Sequence, residues 1–372
     1  MLAAYLTQIS GWFDRRFMLA YWAPMFIFLS LIGVGGAAAR LGPERALKVW
    51  SGLDPMAQAI LGLAALVGIT VLAYILQALT TPVMRMYEGY WPARLKRLTA
   101  RAIAGQTARR SVLRAEATQT RQASSGDPDQ GGEAALRRLH SGGAERTLYL
   151  AFPRSERLIR PTRLGNTLTA AEEYAYQVYR MDTVLWWPRL APVLDATLAG
   201  QIDAALTPLI ALVNLSFLLT VLALGGGVGL LLLSLFGASQ PIWLFLLVFA
   251  GGLLLAWLCY EAAVTQAQDY GSLVRVACDM SRHELLKKLH IPVPDNLRSE
   301  RQLWDVLNHW VLEYIPPWEQ GWPPDPAPAP ATDPFYYDSH KPAPAGEAGT
   351  PPPIAVNVHV DFEPEQVTPE VN

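Results

Sequence analysis

The chain has 372 residues, 51% of them hydrophobic and 17% charged, with a formal net charge of −2. Soluble domains carry about 25% charged residues, so this composition argues against an ordinary cytosolic enzyme. Near-neutrality argues against nucleic acid as a partner. Two cysteines, Cys259 and Cys278, supply neither a disulfide framework nor a four-cysteine zinc site.

Charge is distributed unevenly. No Asp, Glu, Lys or Arg lies between Arg16 and Arg40, between Asp54 and Arg85, or between Asp203 and Glu261. A helix needs about 20 mostly apolar residues to cross the hydrocarbon of a bilayer. The first two gaps predict one span each, at 17–38 and 56–79. The third is too long for one span and is broken by Gly237-Ala-Ser-Gln-Pro241, whose proline suits a helix start. It predicts two more, at 208–236 and 242–260. The first run has the basic start and small residues of a signal peptide, but its apolar length favours a retained helix. The expected fold is an all-α membrane protein with four transmembrane helices in two hairpins. Its expected parts are an N-terminus (1–16), a first hairpin (17–79), a mostly helical insertion (80–207), a second hairpin (208–260), further helices (261–315) and a tail (316–372).

Positive charge sets the orientation. With both termini inside, the outside loops 39–55 and 237–241 hold three basic residues, Arg40, Arg45 and Lys48. Arg85, Arg94, Lys96, Arg97 and Arg101 directly follow the second run. Lys and Arg stay on the cytoplasmic side, which predicts both termini in the cytoplasm. Segment 85–121 holds nine Lys and Arg against two acids. The orientation rule accounts for these charges, and contact with anionic lipid is the sharper alternative.

Within the insertion, 122–145 is rich in Gly, Ser, Asp and Gln and reads as a flexible loop. Thr147-Leu-Tyr-Leu-Ala-Phe-Pro153 reads as a short strand or extended segment. Thr169-Ala-Ala-Glu172 has capping-box spacing and predicts a helix carrying Tyr174, Val178 and Met181 on one side. After the fourth span a helix is expected over 261–289, stopped by Ile291-Pro-Val-Pro294. Another follows over 299–314, capped by Ser299, with Leu303, Val306, Leu307, Trp310 and Val311 on one face. From Pro316 the chain is rich in proline and alanine, which predicts disorder. Residues 313–372 contain ten acids and one Lys, and include the apolar run Ile354-Ala-Val-Asn-Val-His-Val360. This tail is expected either to contact the positive juxtamembrane segment or to stand free.

No phosphate-binding glycine loop, zinc-protease helix or nucleophile elbow is present. No metal or cofactor is expected. His283 and His290 lie seven apart on one predicted helix, too far apart to chelate one metal. The candidate anion site is Arg160, Arg163, Gly165 and Asn166, because arginines before a helix N-terminus suit a phosphate or carboxylate. The favoured alternative is internal pairing with Glu172, Asp182 or acids near the fourth span. The candidate pore lining is Asn214, Ser216 and Thr220, with Glu261 forming a ring of acids in an oligomer. Helix packing is the favoured use of these small polar residues.

Arg160-Pro-Thr-Arg-Leu-Gly-Asn166, Ala171-Glu172, Tyr179, Asp182 and Trp187-Pro-Arg-Leu190 together resemble a segment of uncharacterised bacterial four-pass membrane proteins. Tyr270-Gly271, Asp279, Arg282, Leu286, Pro292, Pro294, Glu300 and Trp304 are similar to their region after the last span. The resemblance implies the same two-hairpin layout with a cytoplasmic insertion, and no activity. The acidic tail lies outside it. The expected function is a non-enzymatic inner-membrane protein, homo-oligomeric in the lipid bilayer, engaging a cytoplasmic protein partner through 146–200 or 316–372. The alternatives are an oligomeric ion channel or pore, and a lipid-head-group enzyme using Arg160 and Arg163.

Overall fold

The computed structural model describes residues 15–41, 43–124, 143–235 and 245–314. Among these, every regular element is helical. Helix α1 starts at Arg15–Phe17, passes a π-helical turn at Met18–Trp22 and continues as Ala23–Leu41. Then come α2, Pro43–Ser51, and α3, Pro55–Glu88. Helix α4 is Lys96–Ser124, α5 covers 143–151, α6 is Arg163–Tyr179 and α7 is Thr183–Leu190. Helix α8 runs from Ala196–Val221 through a π-helical stretch at Leu222–Gly226 into Gly227–Leu235. Helix α9 passes from Leu247–Gly251 into Gly252–Lys288, and α10 is Leu297–Glu313.

Four helices, α1, α3, α8 and α9, are long and apolar enough to cross a membrane. Ile60, Leu63, Val67, Val71 and Ile75 on α3 are all exposed, as are Leu254 and Leu258 on α9. Contiguous apolar surface of this kind is disfavoured in water. In hydrocarbon it is the natural face of a helix whose backbone polar groups are all bonded internally. The architecture is that of an all-helical, multi-pass membrane protein.

Three clusters hold the chain together. In the first, Phe17, Ala20, Tyr21 and Met25 of α1 pack on Ala73 and Leu76 of α3 and on Ile210 and Leu218 of α8. In the second, Val83, Leu164, Leu168, Leu209, Val213 and Val264 join α3, α6, α8 and α9. The third forms a cap from α6, α7, α10 and the distal part of α9, around Trp186, Leu190, Leu285, Leu303, Trp304 and Leu307. The rings of Trp186 and Trp304 meet edge-on, 5.3 Å between centroids. Helix α9 therefore serves the apolar bundle with one end and the cap with the other, and its α-helical part alone has 37 residues.

Helix α4 rises alongside the cap. Its approach starts at the base of α6, where Tyr90 meets Arg160. Lys96 and Arg110 are about 21 Å apart along the helix at 1.5 Å per residue. Arg110 donates to the Arg154 carbonyl, and the Arg154 N–H donates to Glu173, well along α6. Only the first turns of the basic segment therefore stay close to the end of α3.

Several local expectations are corrected. Segment 147–153 is not extended. Residues 143–151 are helical, and the Phe152 N–H donates to the Leu148 carbonyl. Leu148 and Phe152 are four apart, a helical rather than a strand spacing. Helix α6 starts six residues before Thr169, capped by Thr162, so the Thr169–Glu172 pair lies inside it. Asn296, not Ser299, caps α10, accepting from the Ser299 N–H. Pro208 lies inside α8, which begins at a cap on Asp195. His290 follows the end of α9 with φ +57°, so it does not share a helical face with His283. Most of the expected loop at 122–145, the turn at 237–241 and the tail 316–372 lie outside the described residues.

Candidate functional site

A polar seam runs through the bundle. Pro24 has no N–H to give to the Ala20 carbonyl one turn earlier. The Asn214 amide donates to that carbonyl across the helix contact at 3.0 Å, and also lies 3.5 Å from Thr80 Oγ1. The Ser216 hydroxyl donates to the Ala256 carbonyl at 2.8 Å and shares a 3.0 Å hydrogen bond with the Tyr87 hydroxyl. Thr220 donates to the Ser216 carbonyl within α8. Asn214 and Ser216 are buried. Both face contacts between helices of one chain.

Glu261 belongs to a second cluster at the base of the cap. There the Arg163 guanidinium reaches both of its carboxylate oxygens. The first N–H groups of a helix lack intrahelical partners. In α6 they are met by the chain itself. The Tyr260 hydroxyl accepts from the Arg163 and Leu164 N–H groups, and Thr162 Oγ1 accepts from Gly165. Asn166 is fully buried. Its Oδ1 accepts from the Arg160 N–H, and its amide donates to the Arg160 and Thr162 carbonyls. The Arg160 guanidinium lies 4.3 Å from the centre of the Tyr90 ring and donates to its hydroxyl.

Two glycines make this junction possible. A Cβ on Gly165 would stand 2.0 Å from the Glu88 carbonyl oxygen. Gly89 ends α3 with φ +94°, and a Cβ there would stand 2.4 Å from Pro161 Cγ. The end of α3 thus meets the start of α6 backbone against backbone. The four residues of the candidate anion site come together here, and the chain's own groups engage each of them. Nearby, the Glu172 carboxyl reaches solvent from a crowded corner. Burial of the group, and then the charge of Glu88, push its pKa up to about 7, with Arg160 opposing.

The cap contains an ionic network that the sequence motifs did not mark. Asp279 accepts from the Tyr174 hydroxyl at 3.0 Å and the Tyr179 hydroxyl at 2.8 Å. Burial, reinforced by Asp279, holds both phenols above their usual range and keeps them protonated. The Arg282 guanidinium lies 4.1 Å from the centre of the Tyr179 ring. Its Nε donates to Glu300 at 2.8 Å, and its Nη1 donates to the Asp279 carbonyl. Glu300 is fully buried and also accepts from the Trp304 indole. One signal pointed to it: Glu300 stands at helical spacing with Leu303, Trp304 and Leu307, a carboxylate in a core stripe.

A groove of about 510 Å³ opens between α4, α5 and α6. Leu148, Phe152 and Val178 form its apolar wall, and Arg110, Arg114 and Arg154 its basic rim. Glu173 shapes the wall by accepting from the Arg154 and Ser155 N–H groups. The hydrogen bonds described above engage no serine, threonine or cysteine with a general base. Among the described residues no group of three His, Cys, Asp or Glu side chains can hold a metal ion. No protein-family model, curated protein or solved structure matches the chain.

Proposed function

We propose that the protein is a non-enzymatic membrane anchor whose cap engages protein partners in the bacterial cytoplasm. In this reading α1 with α3 and α8 with α9 form two transmembrane hairpins. Both termini, the insertion between the hairpins and the segment after α9 are cytoplasmic. The observation that carries it is the continuity of α9. One helix packs into the bundle through Ala263, Val264 and Ala267 and into the cap through Cys278, Leu285 and Leu286. A cap fixed in this way is displayed in one orientation relative to the bilayer. The excess of basic residues after the second span supports the orientation. The polar residues of α8 are used in packing within one chain, so they give no support to a pore. Engagement of Arg160 and Arg163 by the chain's own groups gives none to a lipid-head-group enzyme.

The test is site-specific photocrosslinking in intact cells from two exposed cap positions, Tyr176 and Met280, on the full chain. The expected result is one protein partner captured from the cap, identified by mass spectrometry and recovered in the reciprocal experiment. Adducts with lipid or with further copies alone would overturn the reading. So would ion conductance by the purified protein in planar bilayers.

A further inference from the structure

The groove between α4, α5 and α6 has an apolar wall, a basic rim and no assigned occupant. Its surroundings carry a strong charge bias. Between Arg94 and Ala115 there are seven Lys and Arg and no acid, and over 94–160 there are fourteen against six. The segment after α10 has the opposite bias, with ten acids and one Lys over 313–372. Within it, Ile354, Val356, Val358, Val360 and Phe362 recur at every second position, with Asp361, Glu363 and Glu365 close behind. In an extended chain that period puts the apolar side chains on one face.

We propose that residues 354–365 of the chain's own acidic tail dock in this groove, apolar face against Leu148, Phe152 and Val178, acids against Arg114 and Arg154. The inference rests on the reading of the cap as a protein-docking surface, and it names that surface's resident occupant. Four observations support it. The groove is an open cavity of about 510 Å³ with an apolar wall, room for a few side chains of the segment. Its rim carries the exposed Arg114 and Arg154 beside the acid Glu145, with Arg114 4.0 Å from Glu156, so Arg154 is the main basic contact. Tyr149, in the lining, leaves half of its surface open. Thirty-nine residues lie between Tyr314, the last described, and Ile354. A coil of that length has a mean span of about 35 Å. A tail seated there would have to leave before another acidic, apolar segment could enter. The cap would then be self-occupied at rest.

The experiment uses the full chain in nanodiscs. A photocrosslinking residue is placed by Thr118→p-benzoylphenylalanine, and in a second variant by Tyr149→p-benzoylphenylalanine; both positions line the groove. Val184→p-benzoylphenylalanine, at an exposed position on α7, is the control. The expected product is an intrachain crosslink to a peptide within 354–365 from both groove positions and not from the control. D361N/E363Q/E365Q, or 0.5 M salt, should lower its yield about fivefold, as expected for charge pairs at a solvated rim. Crosslinks to 125–142, crosslinks to a second copy revealed by mixing isotope-labelled and unlabelled chains, or no product from either position would each overturn the proposal. These are intrachain products of purified protein. The function test reads intermolecular products in cells, so failure of one is distinguishable from failure of the other.

Discussion

Replacing Glu300 probes the ionic network at its most buried point. The carboxylate is inaccessible to solvent and Arg282 is largely buried. In Glu300→Leu the guanidinium keeps the Tyr179 ring and the Asp279 carbonyl but loses its counter-charge, and the Trp304 indole N–H loses its acceptor. Removing one member of a buried pair costs about 3–5 kcal/mol, much of it from the charge left behind. Arg282→Leu should cost a similar amount, because it leaves the carboxylate in the core without its guanidinium, beside the Trp304 indole and, at 3.3 Å, the His283 ring. Replacing both with leucine removes both desolvation penalties, and buried pairs exchanged for apolar residues are often neutral or stabilising. The double variant should therefore be more stable than either single one, which means a coupling larger than either single loss, above about 3 kcal/mol, in the double-mutant cycle. At about 2–4 °C per kcal/mol for a domain of 150–250 residues, each single change lowers the cap transition by about 6–20 °C. Tryptophan fluorescence of nanodisc-embedded protein reads that transition, because Trp186 and Trp304 form the cap core. If the losses of the two single variants simply add in the double, the pair is not coupled and the reasoning fails.

At the junction of α3 and α6, Gly165→Ala forces a Cβ into the Glu88 carbonyl, and no rotamer change relieves a backbone contact. Overpacking costs about 1–3 kcal/mol, and this contact should sit at or above the upper end. A melting temperature equal to the parent's would refute the close crossing. In the bundle, Asn214→Leu strands the Ala20 carbonyl and should cost about 1–2 kcal/mol. Pro24→Ala restores a backbone donor, so the same Asn214 change should cost less in that background; an equal loss in both would show that Asn214 does not act through this carbonyl. Partial burial and the charge of Glu88 push the Glu172 pKa up from 4.5 to about 7. The folded state thus binds more protons across that window, and stability falls as pH rises through it, then levels off. Glu172→Gln should flatten this fall, which melting curves at pH 5 and pH 8 will show; identical pH dependence in variant and parent would exclude Glu172 as its source.

The apolar helices were legible because a charge gap is a local property of the chain. Their ends were less so. Thr169 matched a capping box, yet α6 begins at Thr162, where Tyr260, nearly a hundred residues away, supplies another acceptor. Ser299 was the expected cap of α10, and the helix takes Asn296, three residues earlier. At 147–153 the apolar run was too short for its period to separate strand from helix. The four candidate anion residues lie together in the fold, as their closeness in sequence requires. Pairing with an acid near the fourth span was among the expectations, and Glu261 supplies it; Tyr90, just after α3, and Tyr260, on α9, left no local mark. The network of Asp279, Arg282 and Glu300 was hidden for the same reason, although Glu300 in an apolar stripe was a visible anomaly.

The Ala20 carbonyl also bears on how the chain is made. Its partner Asn214 lies 194 residues downstream. Chains are synthesised at about 5–20 residues per second, so α1 emerges about 10–40 s before the side chain that completes it. During that interval the first span holds an unmet acceptor beside a proline. Its final seating in the membrane therefore waits for the third span to arrive. Chains truncated before residue 214 should leave α1 more exposed to the translocation machinery than the finished protein does.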